Sequence, residues 1–409
     1  AIADGIHISG FIQADLEFRQ SSQDQLNNST GQPINDDRFM LRRARLKVDM
    51  DYGVVAGVVE FDGNTVNGAT ARLINAEASV RWRAPKPGDL PYLQLTTGLF
   101  KMPFGFEILQ SDKDRLFMER SNVIRALFPG EFDLGARLSG GWRFIHYAIA
   151  AMNGDPVGEK QFPGRDPNGA KDLLGRLGVS LGIGQHVHLS AALSGLYGTG
   201  FSKGTAPTKD VVVWRDLNED GLVQPSELFG TQGTAATASQ NFSRFGFGGD
   251  LQLSVDIPTL GPLVLYGELV LGQNLDRGLA STNGVSLTAP SDPIGSSRDL
   301  RQAGWYVGAS LDLTEWAQVG FRYDAYNPDR DASDRQKGTV VPSDQSFTTI
   351  ALVAAAHVLQ VHQLRAAHLA QQLLVVGQRE AHLLGDLALA GRAAQALLEL
   401  VHRGLDRAL

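Results

Sequence analysis

Cysteine is absent from the 409 residues, which excludes a disulfide framework and any thiolate metal site. No apolar run approaches the roughly 18 residues that a spanning helix needs, so helical membrane spans are excluded too. A membrane barrel stays open, because its signal alternates and is weak in each strand. The net charge is only −7, which points to no nucleic-acid partner and to no acidic solvating chain. Ala1-Ile2-Ala3-Asp4 has neither a basic start nor an apolar stretch, so an exported form of this chain reads as processed or as a fragment. A Gly-x-Ser-x-Gly elbow, a phosphate-binding glycine loop and a His-Glu-x-x-His zinc motif are all missing, and no catalysis is expected.

What is present is a rhythm. Alternating apolar and polar segments suggest strands near 5–20, 37–51, 53–62, 71–83, 92–99, 132–141, 143–151, 171–184, 186–198, 241–256, 262–273, 302–313, 315–325 and 345–356. The connections alternate in length. Short ones fall at Asp51–Gly53, Ala84–Pro91, Gly141-Trp142, Gly184–His186, Ile257–Pro262 and Leu313–Trp316, and long ones at 21–36, 63–70, 100–131, 152–170, 199–240, 274–300 and 326–344. Consecutive strands that cross a membrane in opposite directions put short turns on one side and long loops on the other. A soluble sandwich has no reason to sort its loops this way. The expected fold is therefore an all-β, antiparallel transmembrane β-barrel over 1–356. Trp82, Trp142, Trp305, Trp316, Tyr147, Tyr306, Phe321 and Tyr323 sit in or beside strands, where aromatic girdles belong; plain β propensity places aromatics there as well.

Sending the apolar positions outward sends a defined set inward. Arg43, Arg45 and Lys47 form a basic ladder on the second strand, Arg81 and Arg83 lie on the fourth, and Arg137, Arg176 and Arg322 follow. Inward acids include Asp15, Glu17, Asp49, Glu77, Asp133, Asp250 and Asp324. Rings of Arg and Lys select anions, and Arg matches phosphate or carboxylate with a two-pronged fork. Cross-strand pairing that merely keeps the lumen wet is the competing account. The 100–131 connection is the expected constriction: Phe104, Phe106, Phe117 and Phe128 offer anchors, and Lys101, Asp112, Lys113, Asp114, Arg115, Arg120 and Arg125 offer lumen charge.

Arg42-Arg43-Ala44-Arg45-Leu46-Lys47-Val48, Gly98-Leu99-Phe100-Lys101-Met102-Pro103-Phe104-Gly105, Phe117-Met118-Glu119-Arg120 and Phe128-Pro129-Gly130 together resemble the phosphate-selective porins of the O and P type. The resemblance spans roughly residues 5–356 and is most specific between 98 and 140. It implies a sixteen-stranded channel for small anions in the bacterial outer membrane, homotrimeric and set in lipid and lipopolysaccharide. The channel-lining set expected here is Arg43, Arg45, Lys47, Arg81, Arg83, Lys101, Arg137 and Arg322. A barrel that serves as an adhesin or surface scaffold is the alternative.

Within the long 199–240 connection, residues 216–227 fit the twelve-residue calcium template. Asp216, Asn218 and Asp220 take positions 1, 3 and 5, Gly221 makes the turn, Leu222 gives a carbonyl, Gln224 stands at position 9 and Glu227 closes the set. Val211–Trp214 before it reads as a strand, so the expected role is structural Ca²⁺ that stiffens an external loop. His186 and His188 share a strand face, which alternation alone explains. After Ala356 the pattern stops. Residues 357–409 carry five of the nine histidines and no aromatic, and space Leu383, Leu384, Leu387 and Leu389 like a helix. An out-of-frame translation that replaces the last two strands, or a helical appendage on a fourteen-stranded barrel, are the two readings of this tail.

Overall fold

The computed structural model describes residues 5–18, 37–66, 68–82, 90–156, 166, 168–202, 206–215, 217–236, 238–258, 260–275, 299–336 and 339–356. Eighteen strands and one short helix lie in these segments. In chain order the strands are β1 (Ile6–Phe18), β2 (Asp37–Asp51), β3 (Val55–Asn64), β4 (Thr70–Trp82), β5 (Leu93–Lys101), β6 (Phe132–Trp142), β7 (Ile145–Met152), β8 (Asp172–Ile183), β9 (Val187–Ser202), β10 (Val211–Trp214), β11 (Leu228–Thr231), β12 (Gln240–Asp256), β13 (Pro262–Gln273), β14 (Arg301–Asp312), β15 (Ala317–Asn327), β16 (Ser333–Gln336), β17 (Thr339–Pro342) and β18 (Phe347–Ala356). Fourteen of them form one antiparallel meander, β1 through β9, then β12 to β15, then β18. These are the fourteen strands the alternation points to. The sixteen that the family resemblance implies are not reached among the described residues, and the calls on 357–409 lie outside them.

The strands of the meander separate their two faces as a membrane wall must. On β8, Leu173 and Leu177 are more than half exposed, whereas Leu174 and Arg176 between them are buried. On β12, Phe245, Phe247 and Leu251 face out, and Asp250, Gln252 and Ser254 face in. An apolar exterior over a polar interior is the reverse of a water-soluble sheet, and it suits hydrocarbon outside and water within. Leu193, near the middle of β9, is 58% exposed. Leu193→Arg is therefore expected to cost about 2–4 kcal/mol in urea titrations of folding into vesicles; an unchanged midpoint would place this face away from lipid.

The short connections are tight because the ladder continues almost to the turn. At Gly184, φ is +67°, a left-handed conformation that glycine adopts without a Cβ penalty. The long connections carry structure of their own. β10 and β11 pair as a hairpin within 203–239, and β16 and β17 pair within 328–346. The 102–131 connection holds the helix α1 (Asn122–Leu127), which buries Val123, Ile124 and Leu127 on one face.

Register explains one exception to strict alternation. Gln13 pairs with Arg43 and Ala14 with Leu41, so Arg42 is an extra residue in β2. A bulge of this kind lets two successive side chains leave the strand on the same side. The counterpart in β4 is Ile74, skipped between Leu73 and Asn75 and buried at 2% exposure.

One loop shows that the sheet curls. Glu119 accepts an ion pair from Arg42 of β2, and its carbonyl oxygen accepts a hydrogen bond from Arg322 of β15 at 2.9 Å. Three residues on, Asn122 donates to Thr349 of β18 at 2.5 Å. A flat meander would hold β2 and β15 eleven strand spacings of about 4.8 Å apart, far beyond the reach of two side chains. The sheet wraps around the 102–131 segment and brings both of its ends to it.

Candidate functional site: the basic ladder and the inserted loop

The 102–131 segment divides the enclosed interior unequally. On one side Phe104, Ile108, Val123, Ile124, Leu127 and Phe128 pack against Phe100, Met152, Leu174, Leu196, Val270, Tyr306 and Tyr326 of the wall. Phe104 and Phe128 stack with centroids 4.7 Å apart. Burying this many large apolar side chains stabilises the inserted loop through about 1.5–3 kcal/mol for each. That half, against β5, β7 to β9 and β13 to β15, is a packed core. The charged half lies along β2 to β4, where the cations of the ladder meet the charged edge of the loop.

Here Asp112, in a 3-10 turn of the loop, receives three guanidinium groups. Arg43 Nε lies 3.5 Å from Asp112 Oδ2, and Arg45 and Arg115 pair with the same carboxylate. Arg43 also donates to Gln13 Oε1 at 2.9 Å, and Arg45 lies 3.4–3.5 Å from Asp62 and Glu60. Lys47 pairs with Asp49 at 3.1 Å, and Arg81 with Asp51 at 2.7 Å. The bulged Arg42 joins this edge through Glu119, and Arg120 through Glu131. Burial lowers the Arg120 guanidinium to about 9 and leaves it charged at neutral pH; Glu107 opposes this, whereas Arg43 and Arg45 add to it.

The remaining sequence candidates sit elsewhere. Lys101 donates to the Gln110 carbonyl at 2.8 Å and pairs with Glu131 at 3.1 Å, at the root of the loop. Arg137 faces inward away from the ladder, stacked 4.6 Å over Phe100 and paired with Glu77 at 3.3 Å. Arg322 is inward and covered, 3.1 Å from Glu107 and 4.7 Å over Phe117. Arg176 forms a two-pronged pair with Asp250 at 2.5 and 3.0 Å. Arg83 lies outside the described residues. The structure thus brings Arg43 and Arg45 to Asp112 of the loop, sets Lys47 beside Asp49 and Arg81 beside Asp51, and gives Lys101, Arg137 and Arg322 to the loop and its supports. Sequence reasoning did not single out Arg42 or Arg72 for the lumen. Arg72 lies 3.6 Å from Asp62.

In the β10–β11 hairpin, Glu227 is 2% exposed in an otherwise exposed loop. It accepts from Trp214 Nε1 at 3.0 Å and from the Leu217 amide at 3.2 Å. Asn218 and Asp220 form successive side-chain turns, with Gly221 at φ +72°. Asp216 lies outside the described residues. Among those described, no group of three or more His, Cys, Asp or Glu is placed to hold a metal ion.

Comparison with known proteins gives three kinds of result. No curated protein matches the chain. Among solved structures, the outer membrane channel DcaP of Acinetobacter baumannii is similar at 11% identity and a TM-score of 0.44, over 86% of this chain and 96% of that one. OmpT of Vibrio cholerae in its trimer form is similar at 11% identity and a TM-score of 0.35, over 86% and 100%. An anion-selective porin from Comamonas acidovorans is similar at 10% identity and a TM-score of 0.33, over 86% and 98%. The family whose pattern matches does so over residues 12–143, a stretch that runs from β1 through the basic ladder and the whole inserted loop. That family, the phosphate-selective porins O and P, is the one that the segments at 42–48 and 98–105 resemble.

Proposed function

We propose that this chain is a passive channel of the bacterial outer membrane that favours small anions. One observation carries the proposal: three guanidinium groups, from Arg43, Arg45 and Arg115, meet a single carboxylate where the loop faces the ladder. Along this edge Arg42, Arg43, Arg45, Lys47, Arg72, Lys101, Arg115 and Arg120 face Asp49, Glu60, Asp62, Asp112, Glu119 and Glu131, eight cations to six acids, and low-dielectric walls focus the field of that excess. An arriving anion exchanges part of its water shell for guanidinium donors, two at a time where its oxygens are paired. Arg38, Lys47 and Arg81 extend the cationic track along the wall, each beside an acid that keeps binding weak enough for release. The family match over 12–143 covers this whole edge. The proposal is transport rather than catalysis, by a homotrimer in a leaflet of lipid and lipopolysaccharide. In planar bilayers, addition of millimolar phosphate is expected to lower the chloride current by competition at this point. Phosphate without effect would leave the channel non-specific among anions.

A second proposal concerns the external loop. The closing carboxylate, Glu227, folds back onto the start of its own loop, as a ligand of a twelve-residue calcium loop must. With Asp216, Asn218, Asp220 and the Leu222 carbonyl it would hold one Ca²⁺ and stiffen the hairpin, the element on which an adhesin reading would rest. Terbium luminescence sensitised by Trp214 tests it. The signal is expected to appear, to be displaced by Ca²⁺, and to be lost in Glu227→Gln; no signal in the unaltered chain would remove calcium from the account.

A further inference from the structure

Glu268, on β13, has no counterpart among the charges that line the passage. It is 3% exposed, on the far wall under the packed half of the loop. Its Oε2 accepts from the backbone amides of Phe106 and Glu107, each at 3.3 Å, and from the Tyr306 hydroxyl at 3.0 Å. Two successive amides aimed at one carboxylate form a small anion-holding nest, here filled by the protein itself. Gly105, just before it, has φ +62°, and a Cβ there would run into Glu268 Oε1. The Gly105 amide donates to Ser194 on β9 at 3.0 Å. Glu107 then passes the constraint on. Its carboxylate accepts from the amide and hydroxyl of Ser121, at 2.9 and 2.6 Å, and from Arg322 at 3.1 Å. The outgoing and returning legs of the loop are thereby tied together at the point where Glu268 holds the outgoing one.

We propose that Glu268 is the positioning residue of the constriction: its carboxylate caps the amides of Phe106 and Glu107 and so sets how far the Asp112–Arg120 edge stands from the basic ladder. It touches no permeating ion, and acts only through the loop. The inference rests on the channel reading. Removing the carboxylate strands two buried amides and the Tyr306 hydroxyl, each an unsatisfied group in a water-poor place. The loop then samples positions farther from β2, which widens the passage and makes its width fluctuate.

Single-channel recording of the full chain in planar bilayers tests this with four single variants and one double variant. Glu268→Ala is expected to raise conductance and to increase open-channel noise roughly two-fold or more. Glu268→Gln keeps an acceptor of the same shape and restores near-original traces. Gly105→Ala pushes the carboxylate off its amides and behaves like Glu268→Ala. In the double variant the two effects do not add, because both remove one contact. Glu268→Asp, which withdraws the carboxylate by one methylene and keeps the charge, serves where Glu268→Ala fails to fold. It is expected to be noisy. Folded Glu268→Ala or Glu268→Asp with unaltered conductance and noise would overturn the proposal. An unaltered chain that conducts nothing would instead overturn the channel reading itself.

Discussion

Replacing Arg43, Arg45 and Lys47 together by glutamine is expected to turn an anion-preferring channel into a cation-preferring one. The three substitutions remove the ladder and leave Asp112, Glu60, Asp62 and Asp49 with Arg72 and Arg115 as the near cations. A unit charge about 4 Å from an ion is worth about 1 kcal/mol in bulk water and more beside low-dielectric walls. Three such changes sum to roughly 1.5–3 kcal/mol after partial screening. Since about 1.4 kcal/mol is a factor of ten, the chloride-to-potassium permeability ratio should fall at least about ten-fold and cross unity. The shift should shrink in 1 M salt, where the screening length drops to about 3 Å. Arg137→Gln is the matching control: its guanidinium is stacked on Phe100 away from the ladder, and selectivity should hardly move. A triple variant with undiminished anion preference would detach the ladder from the passage.

The second large effect is on stability. Arg322→Ala takes away the guanidinium that pairs with Glu107, donates to the Glu119 carbonyl and covers Phe117. Both members of the ion pair are about 95% buried on their side chains, so the orphaned Glu107 carboxylate has little water to replace its partner. Breaking one side of a buried pair costs about 3–5 kcal/mol. That loss should appear as a lower urea midpoint in vesicles. Arg322→Lys keeps the charge but loses the planar stack and the fixed direction of the Nη1 donor that serves both Glu107 and the Glu119 carbonyl, and should recover only part of it. Equal midpoints for all three proteins would show that the loop does not depend on this anchor.

The sheet was legible because a membrane wall enforces its period on every strand: Leu173, Leu177 and Leu193 had to face one way, and Arg176, Ser194 and Asp250 the other. The contrast of short and long connections followed from the same crossing geometry. Arg42 was not legible by period, which sends it outward. Its signal was there all the same, since an Arg between Leu41 and Ala44 on an oily face asks for a bulge. Arg137 and Arg322 were correctly turned inward, yet alternation gives a face and not a depth. Which inward groups the loop covers depends on how 102–131 folds, and that is set by contacts between residues far apart in the chain. Glu268 is the clearest case: its partners Phe106 and Glu107 lie about 160 residues earlier, a pairing that no local pattern announces. The loop's aromatic anchors were readable for the opposite reason. Phe104, Phe117 and Phe128 are too apolar to leave in water, whatever the fold around them.

The reversal potential of the unaltered chain across a KCl gradient in a planar bilayer bears most directly on the whole account. With more guanidinium than carboxylate charge where the loop meets β2, the potential should take the sign of chloride permeating faster than potassium. A potential of the opposite sign would mean that Asp112, Glu60 and Asp62 govern the passage, and would contradict the anion channel.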